Sequence, residues 1–570
     1  MRCARRVFSV GLSLVLLGSG CSGSFAPQRS STTTQSAAPP GPRSVIVAVD
    51  GVGVGDGGFN PHLVADLSQV TAAVASLTLP SPFRPAADPS APGGVAWNLD
   101  RSFLAAADVV GHAPFTVRYR VRGEAQWSDG APIAAEDFQY LWRQMTTQPG
   151  VADAGGYGLI DEIRSGAGGK EVTVVFRDEY PRWKELFADL LPAHVGRDDL
   201  GGFPRAFQNG ITVAGASFRV EHMDRNKEEV ELVRNDRYWD SPAWADKILL
   251  RRMGSGTQLA AALRNKEAQL VLVHGSASVL AQLQAVPQVR AEVRAGQAAL
   301  SLILNARDAR LRDQEARQAL LGVLDQGLLA RIGAQDAVAL PPGGVDPPER
   351  VLPDQAREKL VQLGYAPLPE RTPSGPAPGA PLILGKDGRP LAMSIGVAQN
   401  DARAFAVAST AADQWRSIGV AASVVQLAPE ELYGAALRDN KVQAIVGWSA
   451  AGGDLATSLY SRYACPDNPG GASLSDPQAP VDPVGLGGVR NLAGVCAPEL
   501  QTDFLRALSG KFSGADLQAE VIARFTPLAV ELPLMRDAGL FAVGPGISGV
   551  AFGGPSSVGP MAGAAGWELH

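Results

Sequence analysis

Residues 115–142 read FTVRYRVRGEAQWSDGAPIAAEDFQYLW. Phe115, Val117, Tyr119 and Val121 alternate with Thr116, Arg118 and Arg120, the period of a half-buried strand over 115–121. Trp127-Ser128-Asp129-Gly130 then makes a turn, with Gly130 free to take the positive φ that other residues resist. After Pro132, the apolar residues Phe138, Leu141 and Trp142 recur at helical spacing behind Glu136 and Asp137. Carboxylates in a first helical turn complement the positive end of the helix dipole. The plain alternative is an ordinary surface hairpin and helix.

Strand, W-S-D-G turn and acidic helix start, in this order, resemble a signature of the family 5 extracellular solute-binding proteins. These are the dipeptide- and oligopeptide-binding components of ABC importers. A second match lies at 218–246, where two alternating strands joined by a charged turn lead into Asn235-Asp236-Arg237-Tyr238-Trp239. It is similar to the family's N-x-x-Y-W segment, and Tyr238 and Trp239 read as packing residues. A third match, Asn305, Arg317, Ala319 and Asp325 along 300–332, marks entry into a second lobe. The resemblance implies an α/β, two-lobed periplasmic-binding-protein-like fold (type II, cluster C) with a central cleft. It divides the chain into lobe I at 44–297, lobe II at 298–530, and a return to lobe I at 531–570.

The N-terminus reads as a leader. Arg2, Arg5 and Arg6 form a basic segment, and 7–17 an apolar one that is too short for a bilayer needing about 20 residues. Residues 1–20 are therefore expected to be a signal peptide. Gly18-Ser19-Gly20-Cys21 resembles a bacterial lipobox and implies lipid attachment at Cys21, although Gly18 stands where a larger aliphatic residue is usual. Residues 21–43, rich in Ser, Thr, Pro and Gly, read as a disordered tether. The expected location is the outer face of the cell membrane, held through the anchor.

The 570 residues are 45% hydrophobic and 19% charged, with a formal charge of −6. Such a chain can bury a large core and has no global basic field for nucleic acid. Past the leader and the anchor cysteine, Cys465 and Cys496 remain. In an oxidising compartment a disulfide is the expected pairing, worth roughly 3–4 kcal/mol for a loop of about thirty residues. A metal site is the rival, but no histidine lies near them.

Further strands are expected at 44–50, 170–176, 269–273, 391–397, 421–426, 442–448 and 530–535. Helices are expected at 181–191, 259–265, 353–365, 402–418, 430–437 and 515–525, and 63–79 reads as the first helix with the chain leading out of it. The proline-rich stretches 341–353 and 367–381 read as surface insertions. Gly53 to Gly58 satisfies G-x-G-x-x-G, but Phe59-Asn60-Pro61-His62 follows in place of the helix that a dinucleotide site requires. Asn60-Pro61 instead resembles the family's segment crossing the cleft floor.

Six histidines are scattered without a metal-ligand or nucleophile pattern, so no catalytic residue, metal or cofactor is expected. The cleft candidates are Asp50 and Asn60 on one side, with Trp448, Ser449 and Asp454 on the other; each also has a plain structural reading. In peptide binders of the family, an aspartate three residues after the tryptophan pairs with the ligand's amino terminus. Here that position is Ala451, and a buried ammonium without its counter-charge costs several kcal/mol.

GFNPHLVADLS from Gly58, EAQWSDGAPIAAEDF from Glu124, RNDRYW from Arg234 and AIVGWSAAGGDLAT from Ala444 resemble one lipid-anchored branch of the family. That branch is linked to mannosylated phosphatidylinositol lipids and to regulation of lipomannan and lipoarabinomannan assembly. The resemblance implies a monomer with a glycolipid in the cleft and a membrane mannosyltransferase as partner. The alternative is a peptide or other solute delivered to an ABC permease.

Overall fold

Ten strands form one sheet that runs through the folded chain. They are β1 (Ser44–Val49), β2 (Phe218–Asp224), β3 (Glu229–Arg234), β4 (Lys247–Arg252), β5 (Leu270–Val273), β6 (Arg290–Leu304), β7 (Ala392–Ala398), β8 (Ala421–Leu427), β9 (Ala444–Ala450) and β10 (Glu531–Val543). Their spatial order is β8-β7-β9-β6-β10-β5-β1-β4-β3-β2. β1 pairs in parallel with β4 and β5, and β7 pairs in parallel with β8 and β9. Short apolar runs such as VIVAV in β1 suit strands covered on both faces. The long β6 and β10 pair antiparallel in the middle and carry the chain from one half to the other.

This computed structural model describes residues 43–50, 58–91, 94–368, 382–465, 491–495, 498–512, 516–553 and 558–570. The leader, most of the tether with Cys21, the glycine run 53–57, most of the insertion 367–381 and Cys496 lie outside the described residues.

The architecture is a two-lobed α/β fold, with a separate buried core in the second half. Leu302, Leu320, Ile395, Val407 and Trp415 pack there. The larger core joins Val47, Leu232 and Ile248 of the first half to Tyr119, Phe138 and Phe187 of a flanking four-stranded sheet. That sheet orders Leu104–His112, Phe115–Val121, Glu171–Phe176 and Ile160–Gly166. β6 runs without a break through the expected lobe limit at 297/298.

The strand expected at 115–121 forms as Phe115–Val121, and Phe115, Val117, Tyr119 and Val121 are all buried. The helix after it, α2, is Ala135–Thr147; α1, earlier in the chain, is Gln69–Thr78. Trp127 is completely buried, and its Nε1 donates to Asp137 Oδ2 at 3.4 Å. Asp137 also accepts from the backbone N–H of Ala134 and of Ala193, each at 2.9 Å. The acidic helix start thus ties turn, helix and the 193 segment together. Gly130 takes φ +98°, as its turn requires.

Several expected elements differ: 63–79 splits into a 3-10 turn at Val64–Asp66 and α1, and the helix expected at 515–525 is a π-helix at Leu517–Ile522 followed by Ala523–Phe525. Residues 181–191 hold only a 3-10 turn at Trp183–Glu185, and Phe187 and Asp189 have left-handed φ of 61° and 49°. Trp183 and Phe187 instead pack on Tyr119, so tertiary burial overrides the helical spacing. The 313–332 segment breaks into Gln314–Gly322 and Gln326–Ala334, because Asp325 leaves the helix to cap the second one at Leu328 N. The 430–437 segment is a π-helix, Glu431–Ala435, followed by one α-turn. β10 also reaches well past 535, since Gly539 does not interrupt a strand paired on both sides.

Candidate functional site

A cavity of about 940 Å³ lies where the two halves meet. Its floor is the β6–β10 pair. The register slips between Ala295 and Ala299, and the bulged residues 295–298 line the cavity together with Leu272 and Asp537. Bulges bend a strand and re-aim its side chains. One wall is the turn 450–454 after β9, in which Gly452 takes φ +87°, followed by Thr457 of α4 (Leu455–Tyr463). A second wall carries Asp153, Tyr157, Tyr180, Glu185 and Asp189, and a third carries Phe83 and Trp97 from a two-stranded ribbon. The glycine-rich C-terminal segment closes the remaining side with Val550, Phe552, Val558 and Met561.

The two halves touch directly around the cavity. Tyr180 Oη lies 3.2 Å from Thr457 Oγ1, and Gly155 N donates to Ser461 Oγ at 2.8 Å. Arg205 pairs with Glu430 at 2.7 Å, and Arg182 Nε lies 3.6 Å from Asp454 Oδ1.

The lining is acidic. Asp100, Asp153, Glu185, Asp189, Asp454 and Asp537 face Arg84 and Arg294. Both cations have partners of their own: Arg84 pairs with Asp100 at 3.1 Å and Arg294 with Glu292 at 3.3 Å. Burial pushes the Asp153 carboxyl up to about 6, only partly offset by the charge of Arg462. Burial likewise lifts Glu185 to about 7, against the opposing pull of Arg182 at 2.5 Å. Asp189 is raised by burial, and burial holds His62 below its ordinary range.

Of the residues expected at the cleft, Asp454 lines the cavity. It also caps α4, its Oδ2 accepting from Thr457 N at 2.9 Å and Thr457 Oγ1 at 3.0 Å. Asn60 is fully buried beside the cavity, where its Nδ2 donates to Phe203 O and its Oδ1 accepts from His62 N. It shapes the turn that presents Pro61 and His62 to the lining. Asp50 does not line the cavity and holds His274 from the end of β1. Trp448 sends its Nε1 to Asp401 Oδ2 at 2.7 Å and lies under Arg403, behind the lining. Ser449 is buried next to it, and its Oγ has no hydrogen-bond partner among the described residues.

Ala451 lines the cavity, with its N–H donating to Gln297 O at 2.8 Å. Tyr238 lines it too, while Trp239 packs with its Nε1 donating to Ser102 O at 2.6 Å. Sequence reasoning missed the lining role of residues 549–553 and 558–565, whose small residues carry no periodic signal. Cys465 is disulfide-bonded. Among the described residues no cluster of His, Cys, Asp and Glu is arranged to hold a metal ion, and no helix is long and apolar enough to cross a membrane.

A profile of the bacterial extracellular solute-binding proteins, family 5 Middle, matches residues 105–470. The chain belongs to that family. Family 5 proteins bind a ligand in the cleft between their lobes, and as extracellular proteins they are exported. Within the family, the chain is 39% identical over 98% of its length to 96% of the probable monoacyl phosphatidylinositol tetramannoside-binding protein LpqW of Mycobacterium tuberculosis. Two solved family-like folds superpose over nearly the whole chain. AgaA from A. tumefaciens R10, in complex with agropinic acid, gives a TM-score of 0.65 at 13% identity, covering 92% of this chain and 99% of that one. AppA from Bacillus subtilis, in complex with a nonapeptide, gives 0.62 at 13% identity, covering 93% and 100%.

Proposed function

We propose that this family 5 protein holds the mannosylated head of a phosphatidylinositol lipid in its cleft and regulates lipomannan and lipoarabinomannan assembly. The observation that carries the reading is the near full-length identity to LpqW, whose name specifies such a ligand. The cavity supports it. Aromatic faces at Phe83, Trp97, Tyr238 and Phe552 offer platforms for sugar rings, and an acidic rim suits hydroxyl donors. The lobes, taken as 44–297 with 531–570 and 298–530, grip the ligand without chemical turnover. Cys21 carries the lipid, residues 21–43 are the tether, and the protein works as a monomer beside a membrane mannosyltransferase. Cys465 pairs with Cys496.

Peptide or solute import through an ABC permease is the second reading. It is favoured by 26% identity over 45% of the chain to the oligopeptide-binding protein OppA of Mycobacterium bovis. Against peptides stands Ala451, at the cavity, where peptide binders of the family carry an aspartate.

Calorimetric titration of the full chain in detergent with monoacyl phosphatidylinositol tetramannoside and with a nonapeptide separates the two. Saturable binding of the glycolipid alone is expected. Tight peptide binding without glycolipid binding overturns the proposal. Mass spectrometry of the membrane-extracted protein is expected to find acyl groups on Cys21.

A further inference from the structure

At the cavity floor, two distant parts of the chain meet. Gln69 opens α1, and Gly539 lies in β10 two residues beyond Asp537. The Gln69 carboxamide is folded against Gly539, so that a Cβ built there would lie 1.9 Å from Gln69 Nε2. Only glycine leaves room for it. In that position both carboxamide heteroatoms are sealed from solvent and have no hydrogen-bond partner among the described residues. A buried amide left unpaired costs about 1–3 kcal/mol, so this arrangement of Gln69 is poor for folding alone.

The surroundings supply what a ligand group would need. Gln69, Gly296, Gln297 and Asp537 all border the cavity. A Cβ on Gly296 would come within 3.2 Å of Asp537 Oδ2, so any side chain there would crowd that carboxylate. Asp537 Oδ1 accepts twice from Arg403, each at 3.1 Å, and Oδ2 accepts once from His274 at 2.9 Å. A carboxylate has about four lone-pair sites, which leaves one for a further donor.

We infer that Gln69 and Asp537 form a subsite that reads adjacent hydroxyls of a carbohydrate ring. The Gln69 carboxamide turns off Gly539 and meets one hydroxyl through Nε2 and its neighbour through Oε1. The remaining Asp537 lone pair accepts from a third. The charges select this chemistry. Asp537 already faces an imidazolium and a guanidinium, so an added ammonium is repelled, while a ligand carboxylate or phosphate is repelled by Asp537 itself. An apolar group would leave the Gln69 amide unpaired. A hydroxyl is neutral and both donates and accepts. This subsite rests on the glycan reading of the cleft and specifies its deepest contact.

The test is calorimetric titration of full-length wild type and Gln69→Leu with mannotetraose, alongside thermal denaturation of each without sugar. Gln69→Leu is expected to melt at or above the wild-type temperature, because it removes an unpaired buried amide, and to lose at least tenfold in mannotetraose affinity. Gln69→Glu, which keeps the acceptor and the length but loses the donor, is expected to lose affinity as well, and it is decisive if the leucine variant does not fold. Affinity within twofold of wild type in the folded variant overturns the subsite and leaves the glycan reading standing. Wild-type protein that binds no mannotetraose overturns both.

Discussion

His274 Nε2 lies 2.9 Å from Asp537 Oδ2, while its Nδ1 lies 2.5 Å from Asp50 Oδ2. Carboxylates face both ring nitrogens, so both must donate and the ring is an imidazolium. The contact joins strand ends of the first half to the central β10. From Asp537 the chain of charges continues to Arg403, whose guanidinium sits 4.8 Å over Trp448, and then to Asp401. Asp401 caps α3 (Ala402–Ser417) in the second half. Asp50 and Trp448 are therefore the two ends of one electrostatic seam across the molecule.

Burial opposes the charge on His274, but its hydrogen bonds to Asp50 and Asp537, with their charges, outweigh it and lift the pKa to about 9. A folded value above the unfolded 6.5 gives stability that is complete below pH 6.5 and lost as pH rises through 9. With a third of the side chain open to solvent, the expected effect is about 2 kcal/mol. Urea denaturation between pH 6 and 10 should show a loss about 2 kcal/mol larger in wild type than in His274→Gln. An imidazole titration centred near 6.5 would refute it.

Asp137 anchors the turn that marks the family. Burial lifts its carboxyl to about 6, against hydrogen bonds from Ala193, Ala134 and Trp127. Asn in its place keeps the shape but cannot accept all three donors. Asp137→Asn is expected to lose about 2 kcal/mol in chemical denaturation at pH 7. An unchanged midpoint would mean that the turn holds without it.

A methyl group at Gly156 would lie 2.7 Å from the ring and hydroxyl of Tyr180, a rigid and fully buried side chain. Relief requires Tyr180 to shift, and with it the contact to Thr457 across the cleft. Gly156→Ala is expected to cost about 1–3 kcal/mol. Its ligand affinity should fall too, which thermal shift and calorimetry would both register.

Glu185 and Asp153 have folded pKa values of about 7 and about 6, raised first by burial. A raised carboxyl takes up its proton earlier in the folded state, so stability increases as pH falls through 7 and then 6. Wild type should gain stability between pH 8 and 5.5. Glu185→Gln with Asp153→Asn should flatten that slope; an equal slope in the double variant would assign it elsewhere.

Cys465 sits at the end of α4, next to the segment whose Asn491 bonds Ala464 O and Val495 O. Pairing with Cys496 closes about thirty residues and is expected to add roughly 3–4 kcal/mol. Cys465→Ser should lower the melting temperature, and unfolded wild type should show no free thiol at either position until reduced.

Local chemistry made some of this legible in advance. The alternation at 115–121, the glycine at 130 and the acid at 137 act within a few residues of themselves, so their pattern alone specified strand, turn and helix. Apolar runs and their periods likewise marked most strands of the ten-stranded sheet, while the expectation of two α/β lobes came from the resemblance to the family. Which side chains face the cavity was decided only by tertiary structure. Asp50, Trp448 and Asn60 carry the residue types of a binding site, yet each is held by a partner far along the chain, because a buried polar group must find a donor or acceptor wherever the fold brings one. Gln69 and Gly539, or the bulge at 295–298, have no sequence signature at all. Their role comes from a meeting of strand and helix 470 positions apart, a distance over which no local period can speak.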